Sequence, residues 1–169
     1  MSGDLRRVLI LGPPGSGKST LACRIGAKHR LPVFHLDQAY WRPGWVAVTT
    51  ETFHAEVARI ADLPAWIIDG NYTDTIAPRL AAADTLIYLD VSSHVSLLRI
   101  LKRTLAHHGR VRSDAAAGCP ERLDLDFLHF AWAWNRTRRA RSLSIAKDFE
   151  GRTIVLRGRQ AVERFLTEA

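Results

Sequence analysis

Short, nearly continuous apolar runs alternate with longer amphipathic stretches along the 169 residues of this chain. The runs LRRVLIL (5–11), LPVFHLD (31–37), AWIIDG (65–70), DTLIYLD (84–90) and RTIVLR (152–157) are rich in Val, Ile and Leu and predict five β-strands. Their apolar character is continuous rather than alternating, so the sheet they form should be covered on both faces. Helical periodicity fills the intervals at about 17–30, 50–62, 74–82, 92–107, 122–147 and 159–168, with Thr50 and Ser92 as candidate N-caps. Strand alternating with helix implies parallel strands joined by right-handed crossovers, a doubly wound α/β fold. The least regular stretch, HHGRVRSDAAAGCPE (107–121), is expected to be a mobile loop.

Composition narrows the class. A hydrophobic content of 47% over this length suits one domain with its own core. Cys23 and Cys119 have no CxxC partner and no metal-spaced companion, so a reducing, cytoplasmic setting is expected rather than a disulfide frame or a zinc site. The start, MSGDLRRVLILG, has too short an apolar run for a signal segment or a membrane span, and no membrane association is expected. The net charge of +7 is uneven: nine basic and nine acidic residues balance over 1–98, whereas fifteen basic face eight acidic over 99–169. Such asymmetry fits a nucleic-acid partner, a lobe that closes over polyphosphate, or dispersed surface arginines; the nucleic-acid reading is not favoured.

LGPPGSGKST (11–20) carries the clearest chemistry. Gly12, Gly15, Gly17, Lys18 and Ser19 fill the pattern G-x-x-x-x-G-K-[ST], after a strand and at the start of a helix. The backbone of Gly12, Pro13, Pro14, Gly15, Ser16, Gly17, Lys18, Ser19 and Thr20 should curl around phosphate oxygens at a helix N-terminus. Lys18 should reach the β- and γ-phosphates of ATP, and the Ser19 hydroxyl should ligate Mg²⁺.

Strand ends separate the kinds of nucleotide chemistry. Ligands of open parallel sheets collect beyond the carboxyl ends of the strands, where Asp37, Asp69 and Asp90 fall. Asp69, followed by Gly70 and Asn71, is the candidate metal-side acid; Asp37 would face the acceptor and take its proton; Asp90 more simply caps a helix or pairs with an arginine. A GTPase would show N-K-x-D and a strand ending in D-x-x-G, neither of which occurs, and a motor ATPase needs more chain. A small kinase remains.

The P-loop GPPGSGKS, HLDQAYWRPGW (35–45), WIIDGNY with Arg79 after it, ADTLIYLD (83–90) and the WAWNRTRRAR helix resemble the small P-loop proteins called DNA topology modulation proteins, of the adenylate-kinase-like group. The resemblance spans almost the whole chain. It implies a P-loop kinase core at about 1–98 and 145–169, an acceptor-binding insert at about 38–62 and a helical lid region at about 99–144. In that lid, Arg99 and Arg103 lie four apart on one helix face and would meet the transferring phosphates, while Arg110 and Arg112 sit on the irregular loop. The resemblance also places the adenine contact at the turn Arg157 to Gln160. Asp-Gly-Asn-Tyr stands where adenylate kinase has an Asp-Gly-Phe-Pro-Arg type segment, which argues against AMP as acceptor.

Tyr40, Trp41, Trp45, Asn71, Tyr72 and Arg79 supply aromatic faces, an amide and a cation on the Asp37 side, as a small acceptor would require; the two indoles could equally pack as core. Phe127, Leu128, Phe130 and Trp134 recur at helical spacing and are expected to pack in the core, beside Arg136, Arg138, Arg139 and Arg141. Two functions are compatible with these residues: phosphoryl transfer from a nucleoside triphosphate to a small acceptor, or a nucleotide-binding regulatory protein acting on DNA topology. Either a monomer or a dimer accommodates them.

Overall fold

The computed structural model describes residues 5–168. The elements run β1 (Arg7–Leu11), α1 (Lys18–His29), β2 (Val33–His35), α2 (Leu36–Tyr40), β3 (Trp41–Arg42), β4 (Val46–Ala47), α3 (Thr50–Ala61), β5 (Trp66–Asp69), a 3₁₀ turn (Thr73–Thr75), α4 (Ile76–Ala82), β6 (Thr85–Asp90), α5 (Ser93–His107), α6 (Leu125–Thr137), α7 (Arg139–Asp148), β7 (Arg152–Arg157) and α8 (Gly158–Glu168). Five strands form one parallel sheet in the order β2-β5-β1-β6-β7, and β3 and β4 form a separate antiparallel hairpin. This is the expected α/β architecture of a five-stranded parallel sheet with helices on both faces.

Alternation along the strands divides the core in two. Val8, Ile10, Ile67, Ile87 and Leu89 point to the face covered by α1 and α8. Leu9, Leu11, Trp66, Ile68 and Tyr88 point to the face that packs Phe53, Val57 and Ile60 of α3 and Ala146 of α7. No helix among the described residues is long and apolar enough to cross a membrane.

Three boundaries differ from the sequence expectation. The second strand stops at His35 because Leu36 turns into the core beneath Gly70, starting α2, so Asp37 lies in a helical first turn and not at a strand end. The long helix expected over 122–147 breaks at Arg138, next to Thr137, whose hydroxyl bonds back to Ala133 O at 3.0 Å, a contact that bends helices. The N-cap of α3 is Thr49, one residue before the candidate Thr50, and its side chain accepts from Thr52 N–H.

Two ion networks hold the carboxyl edge of the sheet. Arg79 is fully buried beneath the segment that leaves β5, donating to the carbonyls of Gly70, Asn71, Tyr72 and Thr75 at 2.7–3.0 Å. Burial pulls its pKa down to about 10 despite Asp74, so it stays charged at neutral pH. Asp90, ending β6, takes a bidentate pair from Arg139 of α7 at 2.8 and 2.7 Å and a longer contact from Arg157 at 3.3 Å.

Arg79→Met should cost about 3 kcal/mol or more in chemical denaturation, because it strands buried carbonyls that a cation now satisfies; an unchanged midpoint would show that the segment needs no such tie. Arg139 holds the Asp90 carboxyl below its ordinary pKa. A depressed carboxylate contributes stability above the unfolded-state value that is lost as pH falls through the folded one. Asp90→Asn should therefore lower stability by about 1 kcal/mol at neutral pH, the arginine side of the pair being largely solvated, and the gap to wild type should close below about pH 4. Urea unfolding at several pH values checks this.

Candidate functional site

One cavity of about 660 Å³ opens along the carboxyl edge of the sheet, and its wall runs from the P-loop to the β3–β4 hairpin and on to α5, the loop after it and α6. The P-loop forms its floor. After β1 the chain turns through Gly12–Gly17 and enters α1 at Lys18, with Gly17 left-handed at the N-cap. At Gly15 (φ +71°) a Cβ would stand 2.7 Å from Ser96 O and 2.8 Å from an Ile100 side-chain carbon, so only glycine lets the loop lie against α5. Lys18 Nζ donates to Gly12 O and Pro13 O, both at 3.0 Å. Burial pulls the ammonium below its ordinary pKa, while Asp69 and Asp37 oppose that fall.

The carboxyl ends of β5 and β2 build the second part. Ser19 Oγ donates to Asp69 Oδ2 at 2.7 Å, and His35 Nδ1 meets Asp69 Oδ1 at 2.6 Å. Burial alone would lower the His35 pKa, but the bond and charge of Asp69, with Asp114 and Asp37, leave it raised. His35 also approaches Cys23 Sγ at 3.7 Å through Nε2. The sequence reading assigned His35 no role, although its position at a strand end two residues before Asp37 was a usable signal. Asn71 clasps the P-loop reciprocally: Nδ2 donates to Gly12 O at 2.9 Å and Oδ1 accepts from Gly12 N–H at 3.2 Å.

A hydroxyl and a carboxylate beside a phosphate-binding loop suit Mg²⁺, a hard cation that takes one or two carboxylates and fills its shell with substrate phosphates and water. Ser19 Oγ and Asp69 already meet within hydrogen-bond distance and are the residues that would hold it.

The start of α2 contributes Asp37 to the same cavity, and Tyr72 donates to its Oδ1 at 2.7 Å. Burial and the Asp37 charge push the Tyr72 hydroxyl well above its ordinary pKa, so it remains a donor at any physiological pH. Trp41 and Trp45 line the cavity edge to face, 5.7 Å apart, and Trp45 anchors the hairpin to the lid loop by donating Nε1–H to Pro120 O at 3.1 Å.

Several expected contacts fall elsewhere. Arg79 is absent from the cavity wall, its guanidinium spent on backbone carbonyls. Tyr40 stands behind the wall, packed on Trp41, Phe53 and Tyr72. Arg157, at the end of β7, and Gln160, in the first turn of α8, are exposed and do not line the cavity, Arg157 pairing with Asp90 instead. Gly12, Pro13 and Ser16 lie beneath the lining part of the loop, which comprises Pro14, Gly15 and Gly17–Thr20. Conversely Phe127 and Phe130, expected in the core, line the cavity together with Arg138, whose guanidinium sits 5.3 Å from the Phe130 ring, while Trp134 is buried as expected and touches the same wall. Their helical spacing resembled a core stripe; only the crossing of α6 over the cleft turns it towards a ligand.

Arg99 and Arg103 both line the cavity. Arg99 donates to Ser16 O at 2.8 Å, and Arg103 is held by Glu121 at 3.0 Å. The hairpin meets the loop between α5 and α6 through Gly44 N–H to Gly118 O at 2.9 Å, and Gln38 of α2 donates Nε2 to Ser113 O of the same loop at 3.1 Å. Gly118 (φ +70°) is needed there because Pro43 would lie 2.7 Å from a Cβ.

No family model matches the chain, and no curated protein sequence matches it. Solved structures do. A gluconokinase from Sinorhizobium meliloti 1021 aligns with TM-score 0.57 at 15% identity, over 98% of this chain and 89% of its own. A sugar kinase from Janibacter sp. HTCC2649 aligns with TM-score 0.53 at 18% identity, over 96% and 93%. A shikimate kinase from Bacteroides thetaiotaomicron aligns with TM-score 0.57 at 15% identity, over 97% and 95%. At such identities the likeness concerns the fold, and the fold of this chain is that of the α/β P-loop kinases.

Proposed function

We propose that this chain is an ATP- and Mg²⁺-dependent phosphotransferase that moves the γ-phosphoryl group to a hydroxyl of a small acceptor. The observation that carries this reading is the opening of Lys18, Ser19 and Asp37 onto one cavity roofed by lid arginines. Phosphoryl transfer needs in-line positioning and charge neutralisation more than covalent help from the protein. The loop backbone and Lys18 would hold the triphosphate, and Arg99 and Arg103 would meet charge that spreads over the transferring group. Mg²⁺ held at Ser19 and Asp69 would neutralise phosphate charge.

Asp37 supplies the remaining element. Tyr72 grips one carboxylate oxygen, which orients the other for the acceptor. The acceptor hydroxyl loses its proton to Asp37 as its oxygen bonds to the γ-phosphorus; the bond from phosphorus to the bridging oxygen breaks, and ADP leaves with that electron pair. The commitment of Arg79 to backbone carbonyls removes the cation that would have matched an acceptor phosphate, which favours a hydroxyl acceptor over a nucleoside monophosphate. The structural neighbours, a gluconokinase, a sugar kinase and a shikimate kinase, support the same reading. Action on DNA draws less support, because Arg103, Arg112, Arg139 and Arg157 of the basic second part are paired with carboxylates.

Turnover of Mg·ATP across sugars, hydroxy acids, nucleosides and nucleoside monophosphates tests the proposal. A hydroxyl compound should stimulate ADP release, and Asp37→Asn should cut the stimulated rate by about 100-fold or more with little change in ATP affinity. Stimulation by a nucleoside monophosphate that survives in Asp37→Asn would refute both the acceptor class and the role of Asp37.

A further inference from the structure

Glu121 is a charged residue with 7% exposure in the cavity wall, and neither the phosphate loop nor the acceptor side uses it. Its backbone closes the base of the lid loop: Gly109 N–H donates to Glu121 O and Glu121 N–H to Arg110 O, both at 2.9 Å. Its side chain gathers two arginines from different segments. Oε1 accepts from Arg103 Nε at 3.0 Å and from Thr104 Oγ1 at 3.1 Å, and Arg103 Nη2 also stands 3.0 Å away. Oε2 forms an ion pair with Arg112 Nε at 3.0 Å, out of line for a hydrogen bond, while Arg112 Nη1 reaches Asp114 at 3.2 Å.

A buried carboxylate persists only when paired, and two neighbouring guanidinium groups repel unless an anion lies between them. Glu121 meets both conditions. It holds Arg103 by a hydrogen bond at Nε and Arg112 by charge at 3.0 Å, while Asp114 accepts from Arg112 Nη1, and both arginines line the cavity. We propose that Glu121 is a positioning residue that presents Arg103 and Arg112 as a preorganised pair to the phosphoryl group in transit. The inference rests on the phosphotransfer reading and adds to it a residue and a second lid arginine. The opposite role, an internal anion that occupies the arginines until phosphate displaces it, predicts the opposite sign on mutation.

Steady-state hydrolysis of Mg·ATP, with water as acceptor, separates them. If Glu121 positions the arginines, Glu121→Gln should lower kcat about 10- to 100-fold and leave KM for ATP within about threefold, and Glu121→Asp should recover part of the loss. Thr104→Val, which removes one donor to Oε1 at similar volume, should lower kcat several-fold and serves if Glu121→Gln fails to fold by circular dichroism. An active wild type matched or exceeded in kcat/KM by Glu121→Gln, or by Thr104→Val in that case, would overturn this inference alone. A wild type no more active than Lys18→Met would overturn the phosphotransfer reading and this inference with it.

Discussion

The two hydrogen bonds between the Asn71 side chain and the Gly12 backbone join the end of β5 to the start of the phosphate loop. Each contributes about 1 kcal/mol net, yet their geometric effect is larger. They hold the loop leaving β1 against the segment leaving β5, so that Ser19 at the start of α1 meets Asp69 at 2.7 Å. Arg79 makes the same segment rigid from below by satisfying its carbonyls. The P-loop and the Ser19–Asp69 pair are therefore one framework hung on the β1–β5 pairing, in which Ile10 stands beside Asp69.

A different economy governs the basic second part of the chain. Four of its arginines are held by two carboxylates: Asp90 takes Arg139 and Arg157 at the sheet edge, and Glu121 takes Arg103 and Arg112 between α5 and α6. Of these, Arg103 and Arg112 line the cavity together with Glu121, whereas the Asp90 group ties α7 and β7 to the end of β6.

The cavity has two aromatic walls of different origin. Trp41 and Trp45 come from the β3–β4 hairpin, and Phe127, Phe130 and Trp134 come from α6. Gly44 and Trp45 of the hairpin and Gln38 of α2 all bond to the loop between α5 and α6, so these three segments are joined along one side of the cavity.

Local rules were enough for the sheet, for most helices and for the phosphate loop, because strands, amphipathic faces and G-x-x-x-x-G-K-S are written in contiguous residues. Asp69 beside Ser19 followed from strand-end logic, since a parallel sheet brings all carboxyl ends to one edge. Tertiary structure decided what depends on which distant groups a side chain meets. Arg79 read as an acceptor ligand and became a buried tie to backbone carbonyls; Phe127 and Phe130 read as core and became cavity wall; Glu121 drew no attention until folding brought Arg103 and Arg112 to its two oxygens. Periodicity reports that one face of a helix is apolar, and composition reports how many charges must be partnered. Which surface covers that face and which charge meets which are set only when segments far apart in the chain pack together.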